Sequence, residues 1–436
     1  MSPIPAIKVD DEQTPESFGE TPDGGIRAWL VVAGAFFILC STLGYANSFG
    51  VFQEYYLAHQ LHGRPPDDIA WIGSLATFLQ LSAGAISGPL FDRYGSWILR
   101  PAAILYIFSV MMVSICREYW HFMLTQGVVI GMLMALFLVP AIAAVSQYFD
   151  KRRATALGIT VSGSSVGGVI FPIALSKMLN DSSLGFGWSI RIMGFTVLPG
   201  LVFSCITVRT RLPPRTTDFF VKEAFKDVKY VLLIIGASFV FIGFSTPIWF
   251  LPTYAVSRGM DTTLASYMLA IINGASALGR IIPGVLADKF GRINILGIGS
   301  IVTGVIVSCM NETESTAALV VFSVAFGFSS GTIMSGIAAA FSVCAKDHRD
   351  IGTYLGMGMA ISSVAILIGP PVNGALVAKY HGFFEACIFS GIMCVVGGFI
   401  VFGSKMTTSQ AHWAQNTHFY YHNNIGNLQN WGQIKT

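Results

Sequence analysis

One ionised side chain lies where ionised side chains are costly. Arg280 stands inside the apolar stretch Gly274-Ala-Ser-Ala-Leu-Gly-Arg280-Ile-Ile-Pro283, while further charge gathers only at the end of the segment, at Asp288, Lys289 and Arg292. A guanidinium at the centre of a membrane helix costs roughly 2.5–3.5 kcal/mol on insertion scales, so it usually faces a polar cavity or a partner. Its planar fork of donors suits bidentate pairing with a carboxylate. Two readings follow: Arg280 lines the path of a solute, or it belongs to a structural network with Asn273 and nearby carbonyls. Asn47, Gln80, Gln126, Asn273 and Asn373 add polar atoms inside apolar stretches. Each suits solute binding or, equally, hydrogen bonding between helices.

Other chemistries lack their residues. There is no nucleophile and base constellation, no Walker loop, no metal-ligand spacing and no cofactor motif, so the sequence reads neither as an enzyme nor as a pump driven directly by ATP. The seven cysteines, Cys40, Cys116, Cys205, Cys309, Cys344, Cys387 and Cys394, lie in or at the ends of apolar stretches without a CxxC pair. They read as free thiols packed among helices.

The elements that must position these residues follow from composition. Of 436 residues, 53% are hydrophobic and only 11% charged, and the mean hydropathy is +0.64. Soluble domains carry about a quarter charged residues, so this chain belongs in a bilayer. Apolar stretches long enough to cross a hydrocarbon core recur about twelve times: 28–53, 68–91, 98–116, 121–147, 154–178, 188–208, 230–256, 263–287, 294–310, 316–344, 352–379 and 383–403. The polar, acidic segment 1–27 lacks the basic start of a cleavable signal peptide, and 404–436 reads as a polar tail. A net charge of +3 implies no nucleic-acid partner.

Alternate loops differ in charge. One set, including Lys151-Arg152-Arg153 and the linker 209–229, carries fifteen Lys and Arg; the other carries six, Arg64, Arg117, Lys177, Arg191, Arg258 and Lys379. The positive-inside rule makes the first set cytoplasmic and, with an even span count, places both termini in the cytosol, most simply at the plasma membrane. The sequons at Asn180 and Asn311 then face outward as glycosylation candidates. The three consecutive basic residues read as topology determinants and lipid-phosphate anchors.

The chain also repeats itself. Gly88-Pro-Leu-Phe-Asp92-Arg93-Tyr-Gly95 returns as Gly284-Val-Leu-Ala-Asp288-Lys289-Phe-Gly291 at an offset of 196, each copy closing a span and opening a basic loop. Leu157-Gly158, Ser164-Ser165 and Pro172 return as Leu355-Gly356, Ser362-Ser363 and Pro370 at an offset of 198. The expected fold is therefore an all-α membrane protein of two six-helix repeats, 28–208 and 230–403, an architecture recurrent among secondary transporters. Asp92 and Asp288 sit where a carboxylate can accept from the start of a neighbouring helix, and Gly95 and Gly291 permit a tight turn. With Arg93 and Lys289 they read as a gate that holds one end shut, or as simple helix stops. Glycines at 158, 163, 167 and 168, and at 352, 356 and 358, give two spans a small-residue seam.

The paired loop motif and the six-plus-six layout resemble the major facilitator superfamily over residues 24–403. Within it, Asp23-Gly24-Gly25 through Trp29, and Tyr148-Phe149-Asp150-Lys151-Arg152-Arg153-Ala154 with Gly158, Gly163 and Gly167, resemble the monocarboxylate-porter branch and particularly its fungal members. That resemblance implies an aspartate one turn before Arg280 and a lysine in the first span; the matching positions here are Ser276 and Asn47. Arg280 matches and the titratable partners do not, which argues against the branch's usual proton and lactate symport and leaves proton coupling open. The resemblance implies a carrier of a small organic solute, possible anions included, and foremost an exporter of a fungal secondary metabolite. Uptake of a monocarboxylate or vitamin-like solute, and a non-transporting membrane sensor, are the alternatives.

Overall fold

The computed structural model describes residues 21–180, 182–213, 219–345 and 347–406. Most of both polar tails, Asp181 of the first sequon, Arg215 and Lys346 lie outside the described residues. Every regular element among the described residues is helical. The first, α1, runs Ile26–Ala46 and continues through Phe49–Tyr55 into a π turn at Tyr56–Gln60. Helix α2 comes in two pieces, Pro66–Ser82 and Gly84–Tyr94, and α3 spans Leu99–Val113. Helix α4 opens at Tyr119–Phe122, passes through a π turn at Met123–Ile130 and ends as Gly131–Tyr148. Then follow α5 at Arg153–Asn180, α6 at Gly185–Thr207, α7 at Val228–Ser257 and α8 at Thr262–Phe290. The last are α9 at Arg292–Ser308, α10 at Thr316–Cys344, α11 at Ile351–Tyr380 and α12 at Phe384–Met406.

Hydrocarbon offers the backbone no hydrogen-bond partner, which is why apolar runs of this length resolve as helices and tolerate Pro172, Pro247, Pro252, Pro283, Pro370 and Pro371 inside them. Eleven stretches are long and apolar enough to cross a membrane, against about twelve expected. The difference lies in α2. Its first piece has 17 residues, and its second runs through a 3-10 turn at Gly95–Ile98 into α3, so that Gly84–Val113 forms one stretch. Ala83 still donates its N–H to the Leu79 carbonyl at 2.9 Å and accepts from Ser87 at 2.9 Å, so the expected span 68–91 is a single bent helix.

The apolar surface is turned outward. Phe108 on α3, Ile206 on α6, Val305 on α9 and Phe399 on α12 are each more than half exposed, whereas α4 is buried along nearly all of its last piece. Such a surface suits lipid rather than water. At the end with few basic residues, Arg64, Arg191, Arg258 and Lys379 lie over the rings of Tyr119, Trp188, Tyr254 and Tyr380. Asn180 closes α5 at this end, and Asn311 lies in the turn after α9, its carbonyl accepting from Tyr254 and Arg258. The first half, α1 to α6, meets the second, α7 to α12, chiefly where α5 lies along α8 and α2 along α11.

Candidate gate and solute path

At the basic end two carboxylates cross between the halves. Asp92, on the last turn of α2 and 5% exposed, reaches the start of α11: one oxygen accepts from the Gly352 N–H at 3.1 Å, the other from the Thr353 N–H at 2.6 Å and hydroxyl at 2.7 Å. Asp288, on the last turn of α8, does the same at the start of α5. Its oxygens accept from the Ala154 N–H at 2.9 Å and from the Thr155 N–H at 2.8 Å and hydroxyl at 2.7 Å. The first N–H groups of a helix have no partner within it and carry the positive end of the helix dipole, so a carboxylate there gains both hydrogen bonds and field. The residue that follows each aspartate, Arg93 or Lys289, is exposed. Gly95 at φ 64° and Gly291 at φ 95° then turn the chain through the left-handed region that a side chain disfavours.

Further links surround these two. Arg153 is 3% exposed; its Nε donates to the Phe149 carbonyl at 2.9 Å, one terminal nitrogen to the Ser342 carbonyl of α10 at 3.1 Å, and the other meets His348 Nδ1 at 3.4 Å. This corrects the expectation for the basic triplet. Lys151 and Arg152 are exposed as lipid anchors would be, but Arg153 is buried because it begins α5 where the second half covers it. Arg292 donates to the Asp150 carbonyl and pairs with Asp288 at 3.7 Å. Asp23 fastens the segment before α1 to the same loop, accepting from the N–H groups of Asp150 at 2.6 Å, Lys151 at 2.8 Å and Arg152 at 3.5 Å. Burial works to raise the Asp23 carboxyl, but these donors and Thr21 together outweigh it and hold its pKa below the ordinary aspartate value.

Deeper in, three of the expected solute-path residues converge on α5. Arg280, 8% exposed, donates to the Val161 carbonyl at 2.6 Å and to the Ser164 hydroxyl, while its Nε is buried without a partner among the described residues. Asn47 donates to the Ser164 carbonyl at 3.3 Å, and Asn273, anchored to the Leu269 carbonyl at 3.0 Å, lies against Gly168 together with Asn47. Ser276 is buried on α8 between Asn273 and Arg280. The remaining amides lie apart from this group. Gln126 accepts from the Tyr56 hydroxyl at 2.8 Å, joining the π turns of α4 and α1 within the first half. Asn373 donates to the Gly369 carbonyl at 3.0 Å and accepts from Ser390 of α12 at 2.9 Å within the second. Gln80 is buried on α2.

The sequence profile of the Major Facilitator Superfamily matches residues 34–310 and 268–419. The chain belongs to that superfamily. Its relatives include an aspyridones efflux protein of Emericella nidulans, 49% identical over 398 residues that cover 91% of this chain and 81% of the relative. An agnestins efflux protein of Paecilomyces divaricatus is 37% identical over 420 residues, 92% of this chain and 95% of that one. Among solved structures, the human organic anion transporter MFSD10 aligns with a TM-score of 0.68 at 13% identity, over 86% of this chain and 98% of that one. The Escherichia coli fucose and proton symporter gives a TM-score of 0.65 at 14% identity, over 86% and 97%. At such identities the likeness establishes the fold.

In this facilitator the sequence reading found the two aspartates and missed the hydroxyls that complete their sites. Thr155 and Thr353 are separated by 198 residues, the offset of the second repeat, so the signal was present in the same alignment that paired Gly158 with Gly356. Arg153 and Asp150 offered no such signal, because the residue 198 positions after Arg153 is Ile351.

Proposed function

We propose that this facilitator exports a bulky organic metabolite by alternating access, with its basic end in the cytosol at the plasma membrane and both termini on that side. The observation that carries the cargo class is the 49% identity, over nine-tenths of the chain, to a protein named for efflux of aspyridones. In this reading 28–208 and 230–403 are the rocking bundles, 209–229 is the linker, and 1–27 and 404–436 are the cytosolic tails. Asp92 with Arg93 and Gly95, and Asp288 with Lys289 and Gly291, form the cytosolic gate. Arg280, Asn47, Asn273 and Ser276 line the solute path. Gln126 and Asn373, already paired inside their own halves, brace helices beside it, as Gln80 does on α2. Asn180 and Asn311 face the outside. Transport, with no chemical change to the solute, requires no cofactor.

Counterflow in proteoliposomes tests this, using labelled short carboxylates and larger aromatic or polyketide-like acids, with and without a pH gradient. Exchange of the bulky solutes is the expected result, and a gradient response would add proton coupling. Movement of short carboxylates alone would overturn the cargo class. An Arg280→Gln variant with unchanged flux and apparent affinity would remove Arg280 from the path.

A further inference from the structure

Gly168 on α5 is approached from both halves of the molecule. A β-carbon placed on it would lie 2.6 Å from Asn47 Nδ2, in the first half, and 2.9 Å from Asn273 Oδ1, in the second. The two amide atoms are therefore at most about 5.5 Å apart, the sum of those distances. Each is turned by a bond of its own. Asn47 Nδ2 spends one N–H on the Ser164 carbonyl and keeps a second, since a carboxamide nitrogen carries two donors. Asn273 Nδ2 is held by the Leu269 carbonyl, which points its oxygen away from its own helix backbone. Asn47 is exposed and Asn273 half-buried, and Gly274 beside it is exposed with open space where a side chain would stand. The cation on the same helix, Arg280, is engaged with Val161 and Ser164.

We propose that Asn47 and Asn273 together recognise a neutral cis-amide edge, the adjacent C=O and N–H of a lactam, a 2-pyridone or an imide. The inference rests on the carrier reading above and names the chemistry its site selects. The solute carbonyl accepts from Asn47, the solute N–H donates to Asn273 Oδ1, and the missing side chain at Gly168 leaves room for the pair. A carboxylate presents two acceptors and meets the lone pairs of Asn273 Oδ1, an unpaired contact that disfavours it. Because donor and acceptor come from opposite halves, the bound solute touches both of the bodies that must move.

The test is equilibrium binding to the purified full chain of three bicyclic probes of matched size: quinolin-2(1H)-one, its N-methyl derivative and 2-naphthoate. The lactam is expected to bind at least about tenfold more tightly than the N-methylated form, which has lost one of two hydrogen bonds, and more tightly than the naphthoate. Asn273→Leu should erase that preference, Asn47→Leu should weaken both lactams alike because it removes the donor to the carbonyl they share, and Gly168→Ala should weaken the lactam by a similar factor. Equal binding of the two lactams, preference for the naphthoate, or no lactam binding would each overturn the proposal. The N-methyl comparison uses the native protein, so it stands even if a variant misfolds. Counterflow of labelled bulky solutes, lactams and acids alike, by the same preparation separates a wrong recognition group from a wrong carrier reading, since exchange of any of them keeps the carrier reading.

Discussion

An aspartate that takes three donors from the start of a helix in the other half holds that half only while the two touch. An asparagine keeps one acceptor oxygen but loses the charge and the other, and a hydrogen bond to a charged group contributes about 1.5–3 kcal/mol, so Asp92→Asn or Asp288→Asn should favour opening of the basic end by about tenfold or more. Maleimide labelling of Ala154→Cys, a buried position beside Asp288, in a Cys309→Ser background reads this directly; unchanged labelling would remove the aspartates from the gate. Thr155→Val and Thr353→Val each delete one of three donors and should act in the same direction, more weakly. Asp23 supplies a pH signature. Its carboxyl is more acidic in the folded protein than in the unfolded chain, so its contribution is fully present above the ordinary aspartate value of 3.8 and is lost as pH falls through the folded value below it. The melting temperature of Asp23→Asn should lie below that of the native protein near about pH 7, and the gap should narrow only once the pH falls below 3.8. At this scale the sequence disclosed the charges that recur, Asp92 and Asp288, since repetition marks them. It concealed Arg153, whose neighbours Lys151 and Arg152 are the exposed basics it was grouped with, because burial there is decided by α10 and by His348, far along the chain.

Helices can approach this closely only where side chains are absent, and the seam is not symmetric. A β-carbon on Gly356 would run into the Gly84 carbonyl, whereas one on Gly84 would meet Val139 at 3.3 Å and the Gly356 carbonyl at 3.4 Å. Gly356→Ala should therefore weaken the contact of α2 with α11 and raise labelling at the basic end, and Gly84→Ala should leave it nearly unchanged. Equal effects of the two would refute the packing argument. The α5 seam divides its work as well: Gly158 faces the Arg280 carbonyl across the halves, while Gly163 and Gly167 face the carbonyls of Phe36 and Cys40 on α1. Span existence was legible from apolar length alone, because a bilayer leaves the backbone few alternatives. The bend at Ala83 and the π turns at Tyr56–Gln60 and Met123–Ile130 were not, since a local change of hydrogen-bond register leaves the apolar composition intact.

The two aspartate sites belong to one molecule and, in the gate proposed above, restrain the same motion. Opening the basic end requires α11 to leave Asp92 and α5 to leave Asp288, so each single substitution leaves one gate in place. The single variant Asp92→Asn should itself raise Ala154→Cys labelling at the distant Asp288 site, and the double variant Asp92→Asn/Asp288→Asn should raise it by about the product of the single effects, because distant contacts that restrain one movement add in free energy. No effect of Asp92→Asn at Ala154→Cys would mean that the halves separate at the two sites independently. The hydrogen bonds between halves described above lie between the basic end and the level of Arg280, and of the outward-facing helices α3, α6, α9 and α12 it is α9, through Arg292 at its start, that joins them. The four amides at the heart of these sites, on Ala154, Thr155, Gly352 and Thr353, each donate to an aspartate of the other half. Once the halves part, that bond is broken and each amide is opened to water. Their deuterium uptake should therefore report, residue by residue, how long the basic end of the unmodified protein stays shut, and a solute that lengthens or shortens that interval can be found before its transport is ever measured.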